Sequence, residues 1–189
     1  MENREAKKIL IVEDEKDTVE MITALLEMEG YQVFSASSGT EAMRFLETRR
    51  QVTPESETPV DLILLDIMLG DEDGRDVCQK IKGDEEMRFI PVVMLTVRSS
   101  LQDKINTLNI GADDYLTKPF INEELLAKIK VMLRIKDLHD DLKRERNKNI
   151  LLSQALEKRY SVGNILGKNS RMQEIYELIS DISNTDSTV

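Results

Sequence analysis

Three carboxylates, one hydroxyl and one ammonium recur in this chain in the same setting, just after an apolar run. Asp66 follows residues 60–65, Glu13 and Asp14 follow residues 9–12, and Thr96 follows residues 92–95. Lys118, with Pro119 behind it, follows residues 115–117. If these runs are parallel strands of one sheet, the polar residues all emerge at its carboxyl edge, where open α/β sheets bind ligands. Gathered there, they describe a divalent-metal site beside a carboxylate that can accept a phosphoryl group. Such a transfer needs a carboxylate oxygen in line with the leaving atom and positive charge over the equatorial oxygens. Asp66 can supply the oxygen. Mg²⁺ prefers six oxygen ligands, commonly one or two carboxylates with waters and phosphate oxygens. Asp14 and Asp66 suit direct ligation, and Glu13 suits a water-mediated place. Lys118 offers a mobile point charge and Thr96 a hydroxyl donor. Without a cation, these carboxylates would repel one another.

The elements that must position these residues are legible in the periodicity. Strand-like runs occupy residues 9–12, 32–36, 60–66, 92–96 and 114–118. Helical patterns lie between them, at 17–29, 39–48, 74–82 and 101–109. In the first helix Val19, Ile22, Leu25 and Leu26 share a face, and Asp17 with Glu20 is the expected N-terminal cap. Strands alternating with helices at this spacing indicate βαβ units and a parallel sheet. Residues 9–12 and 62–65 lack polar alternation, as strands covered on both faces should. Residues 51–59, with Pro54 and Pro59, read as a polar loop, and residues 70–74 as a loop of glycine and acidic residues just after Asp66.

Composition narrows the function. The 189 residues carry a net charge of −10, and 40% are hydrophobic, enough for one ordinary domain and an appendage. No run approaches the roughly 18 apolar residues that span a membrane, and the charged residues 1–8 lack the features of a secretory signal. The single cysteine, Cys78, excludes an internal disulfide and reads as a small buried helix residue in a reducing, cytoplasmic setting. Through Lys130 there are 27 acidic residues against 16 lysines and arginines, a balance that repels nucleic acid. The remainder holds 9 against 10. Its basic cluster, Lys143, Arg144, Arg146 and Lys148, reads as a solvated helix face rather than a DNA contact.

Four words in order carry a family resemblance: Ile9-Leu-Ile-Val-Glu-Asp-Glu15, Asp61-Leu-Ile-Leu-Leu-Asp-Ile-Met-Leu69, Pro91-Val-Val-Met-Leu-Thr96 and Asp114-Tyr-Leu-Thr-Lys-Pro-Phe120. Over residues 7–128 the chain resembles the receiver domains of bacterial two-component response regulators. The resemblance implies a flavodoxin-like, doubly wound sheet of five parallel strands in the order 2-1-3-4-5. It implies phosphoryl transfer from the histidine of a sensor kinase to Asp66, and Mg²⁺ ligation by Asp14, Asp66 and the Met68 carbonyl. It also implies a cis peptide at Lys118–Pro119 and a switch in which Thr96 moves toward the phosphoryl group while Tyr115 turns inward. Gly70 and Val97 depart from that pattern, where a proline and a smaller residue are usual. Met68 and Arg98 occupy positions that tune dephosphorylation in the family.

The helix that starts near residue 123 is expected to run on past residue 128, because residues 123–157 contain no glycine or proline. A heptad seam places Ile135, Leu142, Asn149 and Leu156 at a and Leu138, Glu145 and Leu152 at d. Asn149 can fix register, and Asp141 at g can pair with Arg146 at the following e. A parallel homodimer through residues 129–160 is the expectation; a helix folded back on its own domain is the alternative. His139, at an e position, reads as a solvated side chain.

Residues 161–168 form a glycine-containing linker ahead of an amphipathic stretch, with Ser170 and Gln173 as a capping box and Met172, Ile175, Tyr176, Ile179 and Ile182 on one face. Val162-Gly-Asn-Ile-Leu-Gly-Lys-Asn-Ser-Arg-Met-Gln173 and residues 182–189 are similar to the opening of the AAA+ ATPase domain of sigma-54-dependent transcription activators, over residues 161–189. Gly163 to Lys168 is not a P-loop: three residues separate its glycines where four are required, and Asn169 follows the lysine. On this reading the chain is a Mg²⁺-dependent phosphoacceptor rather than an enzyme, and sigma-54 RNA polymerase is reached only through domains it lacks. Rival readings are an aspartyl-phosphate phosphohydrolase, for which no second acid–base residue accompanies Asp66, and a structural dimer with an idle acidic pocket.

Overall fold

The structure, a computed structural model, describes residues 6–52, 59–70, 72–97, 110–160 and 174–175; for Val52 and residues 157–160 it describes the main chain alone. The expected helix at 101–109, the linker at 161–168 and nearly all of the stretch at 170–182 lie outside the described residues, as does Arg98. Compact units divide at Asp141 and Leu142.

The first unit is built on a parallel sheet. Strands β1 (Lys8–Val12), β2 (Gln32–Ala36), β3 (Leu62–Asp66), β6 (Val92–Thr96) and β7 (Asp114–Thr117) lie in the order β2-β1-β3-β6-β7. Counting these five alone, the order is 2-1-3-4-5, the flavodoxin-like topology expected. Every residue of β3 and β6 is buried, because helices cover both faces of the sheet. One layer of the core joins Leu10, Val12, Ile63, Leu65 and Met94 to Leu46, Val77 and Ile81. The other joins Ile9, Ile11, Leu64 and Leu95 to Ile22, Leu26, Leu125 and Ile129. Alternate residues of each strand serve opposite layers, as the pleat requires. Cys78 is buried within the first layer, and burial pushes its thiol up to about 11, which makes it a packing residue.

Helices α1 (Lys16–Met28), α2 (Gly39–Val52) and α3 (Gly74–Gly83) follow strands in turn. Three local expectations are corrected. Helix α1 starts after Glu15, which makes no side-chain cap bond to the backbone, so Asp17 and Glu20 do not form the cap. Helix α2 runs to Val52, four residues past Thr48, with Arg49 and Arg50 favourable at its negative end. The loop expected at 70–74 contains strand structure: β4 (Met68–Leu69) pairs antiparallel with β5 (Glu72–Asp73).

The last helix, α4 (Asn122–Tyr160), begins with Glu123 and Glu124 in its first turn. Leu125, Ile129, Met132 and Leu133 bury one face in the first unit, while Val131, Ile135 and Leu138 stay more than half exposed. Residues assigned by sequence to the linker thus supply core side chains to the first unit. Lys136 is also fully buried and paired with Asp140. His139 is not freely solvated: its ring stacks on Phe89 at 4.2 Å and its Nδ1 is buried without a hydrogen-bond partner. In the second unit, Leu142, Leu152 and Leu156 are more than half exposed. No helix among the described residues is long and apolar enough to cross a membrane.

Candidate functional site

Register gathers the acidic residues. In the β1–β3 ladder Val12 lies opposite Leu65, so the next residues, Glu13 and Asp66, leave the sheet side by side. On the other flank Asp66 is level with Leu95, and Thr96 with Thr117. Lys118 therefore leaves the sheet two strands from Asp66, roughly 9–10 Å away at the usual strand spacing. Only a long side chain closes that gap. The Lys118 main-chain N–H extends the ladder to the Thr96 carbonyl at 2.7 Å, and the Lys118–Pro119 peptide is cis, as the resemblance implied.

The result is a four-residue ion cluster. Lys118 Nζ donates to Asp66 Oδ2 at 2.5 Å and makes a further short bond to Glu13 Oε2. The other Asp66 oxygen, Oδ1, accepts the Met68 N–H at 3.0 Å. Glu13, Asp14 and Asp66 each offer an oxygen within 4.8 Å of one another. Glu13 and Asp66 are buried, whereas Asp14 is exposed. The expected repulsion among carboxylates is therefore offset in part by Lys118. Burial pushes the Glu13 carboxyl up to about 7; the Asp66 charge adds to this and Lys118 opposes it. Burial works against the Lys118 ammonium, but hydrogen bonds to Asp66 and Glu13 outweigh it and hold its pKa above the ordinary lysine value.

The donor set fits a hard divalent cation: three carboxylates, one of them open to solvent, and no competing sulfur or imidazole ligand among them. Glu13 and Asp66 share the Lys118 ammonium. Thr96 is buried at the end of β6. Tyr115 lies farther back, within β7, half-buried against the first core layer, with Lys128 Nζ 5.5 Å from its ring centre. The side chain of Met68 is 60% exposed, so its main chain alone engages Asp66.

Two glycines shape the edge. The Gly74 N–H donates to the Ile67 carbonyl at 2.8 Å, and a Cβ on Gly74 would collide with the Asp66 carbonyl. Gly70 has φ +58°, a conformation closed to proline. A proline at this position, usual in the family that the sequence resembles, could not adopt that φ. Val97, the other departure, is 59% exposed.

Comparison with known proteins agrees with this architecture. Residues 9–130 match the response regulator receiver domain family. The signal receiver domain of a signal transduction histidine kinase from Syntrophus aciditrophicus is 37% identical, over 68% of this chain and 91% of that one, with a TM-score of 0.59. A two-component response regulator from Clostridium difficile is 35% identical over 68% and 96%, with a TM-score of 0.57. A CheY-like response regulator receiver domain protein from Methanospirillum hungatei JF-1 is 30% identical over 71% and 98%, with a TM-score of 0.60. With a match over most of its length and the sheet order and acidic edge described above, the chain belongs to the receiver domains of two-component response regulators.

Proposed function

We propose that this chain accepts a phosphoryl group on Asp66 from the histidine of a sensor kinase. The observation that carries the reading is the setting of the Asp66 carboxylate. It is held between the Met68 N–H and the Lys118 ammonium, at the rim of a carboxylate cluster able to bind a divalent ion. In the transfer, an Asp66 oxygen attacks phosphorus in line, an O–P bond forms, and the P–N bond to the donor histidine breaks. The donor nitrogen keeps that electron pair. Mg²⁺, held by Asp14, Asp66 and the Met68 carbonyl with Glu13 nearby, would supply positive charge against the phosphoryl oxygens. Lys118 is already aimed at Asp66, so little reorganisation is needed for it to follow the new negative charge. Thr96 and Tyr115, on neighbouring strands, form the switch that reports the modified state.

The exposed apolar side chains of α4 support the output. Val131, Ile135 and Leu138 in the first unit, and Leu142, Leu152 and Leu156 in the second, all fall on the heptad seam. In our reading they pair with a second copy, and the dimer arrangement controls a sigma-54-dependent activator whose ATPase opening is represented by residues 161–189. A phosphoryl group on Asp66 acts by stabilising one arrangement over another.

Incubation with acetyl phosphate and Mg²⁺ tests the first step. The wild-type chain should gain one phosphoryl mass and Asp66→Asn should gain none. A wild type that stays unmodified, or an Asp66→Asn chain labelled to the same extent, overturns the assignment.

A further inference from the structure

Glu72 lies in the β4–β5 hairpin, six residues beyond Asp66 and outside the acidic cluster, yet its carboxylate is held from another element. Its Oε1 accepts the Thr40 hydroxyl at 2.7 Å and its Oε2 accepts the Thr40 N–H at 3.1 Å. Thr40 is in the first turn of α2. Its hydrogen bonds hold the Glu72 carboxyl below the usual carboxylate range, and the positive end of the helix favours the same charge.

Helix α2 also carries a cap from its own residues. Ser38 Oγ already accepts the Glu41 N–H at 3.1 Å, and Glu41 reaches back to the Ser37 N–H at 2.8 Å. This resembles a capping box whose return bond falls on Ser37 instead of Ser38, and it leaves the Thr40 N–H to Glu72. The contact also depends on closeness: a Cβ on Gly39 would collide with Glu72 Oε2 and with Val77 Cγ2.

On the hairpin side, the alternation of a strand sends successive side chains to opposite faces. Glu72 accordingly reaches α2, while Asp73 Oδ1 accepts the Arg75 N–H at 2.9 Å and caps α3. One two-residue strand is thereby fastened to two helices. Its partner strand starts at Met68, whose N–H holds Asp66 Oδ1. The ladder pairs Met68 with Asp73 and Leu69 with Glu72.

We propose that Glu72 is a positioning residue for the Asp66 site. By clipping the hairpin to the start of α2, it fixes the main chain at Met68 against the Asp66 carboxylate and the cation-binding oxygens around it. The proposal rests on the reading of Asp66 as a phosphoacceptor with a divalent ion beside it.

The test is calorimetric titration of the unphosphorylated full chain with Mg²⁺, alongside acetyl phosphate labelling and thermal unfolding. Residues that orient metal ligands indirectly commonly change affinity by about 10–100-fold, and transmission through the backbone should lower this to roughly 3–10-fold for Glu72→Ala. Raising Mg²⁺ should restore its labelling rate. Thr40→Val removes the hydroxyl donor and no charge, and should weaken Mg²⁺ binding part of the way. Glu72→Gln keeps an acceptor for Thr40 and should lie nearer the wild type than Glu72→Ala.

Equal weakening in Glu72→Ala and Glu72→Gln, with none in Thr40→Val, would assign the effect to charge alone and overturn the proposal. Lowered melting temperatures with unchanged Mg²⁺ affinity would reduce Glu72 to a structural clip and also overturn it. A wild type that binds Mg²⁺ and is labelled, with Glu72→Ala indistinguishable from it, sinks this inference alone. A wild type that neither binds Mg²⁺ nor is labelled sinks the reading of the site together with it.

Discussion

The Glu13 carboxyl stands near 4.5 in its ordinary environment and at about 7 in this fold, because burial disfavours its charge. Between those values the folded state holds a proton that the unfolded chain has released. The contribution of Glu13 to stability therefore falls as pH rises from about 4.5 to about 7. Glu13→Gln imitates the protonated form, so metal-free urea unfolding at pH 5 and pH 7.5 should show a smaller pH difference for the variant than for the wild type. Lys118, whose pKa is raised, acts in the alkaline direction: its contribution persists below the ordinary lysine value of 10.5 and fades as pH climbs past it. Backbone geometry sets two further outcomes at this scale. Gly74→Ala places a methyl group into the Asp66 carbonyl, and overpacking of this kind costs about 1–3 kcal/mol, measurable as a lower urea midpoint. Gly70→Pro should not stabilise the loop as a family-typical residue would elsewhere. Its φ of +58° is unavailable to proline, and a loss of roughly 1–3 kcal/mol is expected in the same unfolding assay.

The elements carry a division of labour within α4. Leu125, Ile129, Met132 and Leu133 face the sheet, and Lys136 is buried one turn further along with its ammonium on Asp140. The same stretch meets residues that precede the strands. Lys7, just before β1, bridges Asp137 at 2.6 Å and Asp61 at 2.9 Å, and Phe89, before β6, stacks on His139. Since α4 starts at the carboxyl edge after β7, these contacts hold it at the opposite end of the sheet, away from Asp66. Breaking a buried ion pair costs more than replacing it with apolar groups, because the remaining charge loses its partner. Lys136→Met paired with Asp140→Leu should therefore stay within about 1–2 kcal/mol of the wild type or exceed it. Asp140→Ala alone should lose about 3–5 kcal/mol in thermal or urea unfolding. The apolar heptads made this helix legible in the sequence. Which of its two apolar stripes faces the sheet was not, because both repeat in steps of three and four. The hairpin after Asp66 was also hidden: two-residue strands leave no periodicity, and Glu72 and Asp73 read as loop acids until their partners on α2 and α3 are known.

At the scale of the whole molecule, the proposed dimer makes a direct prediction. Sedimentation equilibrium of the full chain should show a dimer, and Leu142→Ser with Leu152→Ser should shift it to monomer while leaving acetyl phosphate labelling of Asp66 intact. A double variant that stays dimeric would remove the seam from the account. Beryllofluoride, a mimic of the bound phosphoryl group, should change small-angle scattering of the wild type and not of Asp66→Asn. By itself the sequence determined the alternating elements, the parallel sheet and the edge residues Glu13, Asp14, Asp66, Thr96 and Lys118, because strand ends and turn polarity are local properties written into periodicity. Tertiary structure alone decided that Lys118 bridges Glu13 and Asp66, that burial pushes the Glu13 carboxyl above the ordinary carboxylate range, and that Glu72 reaches α2. Those facts depend on register and on distances between residues far apart in the chain, which no local pattern encodes.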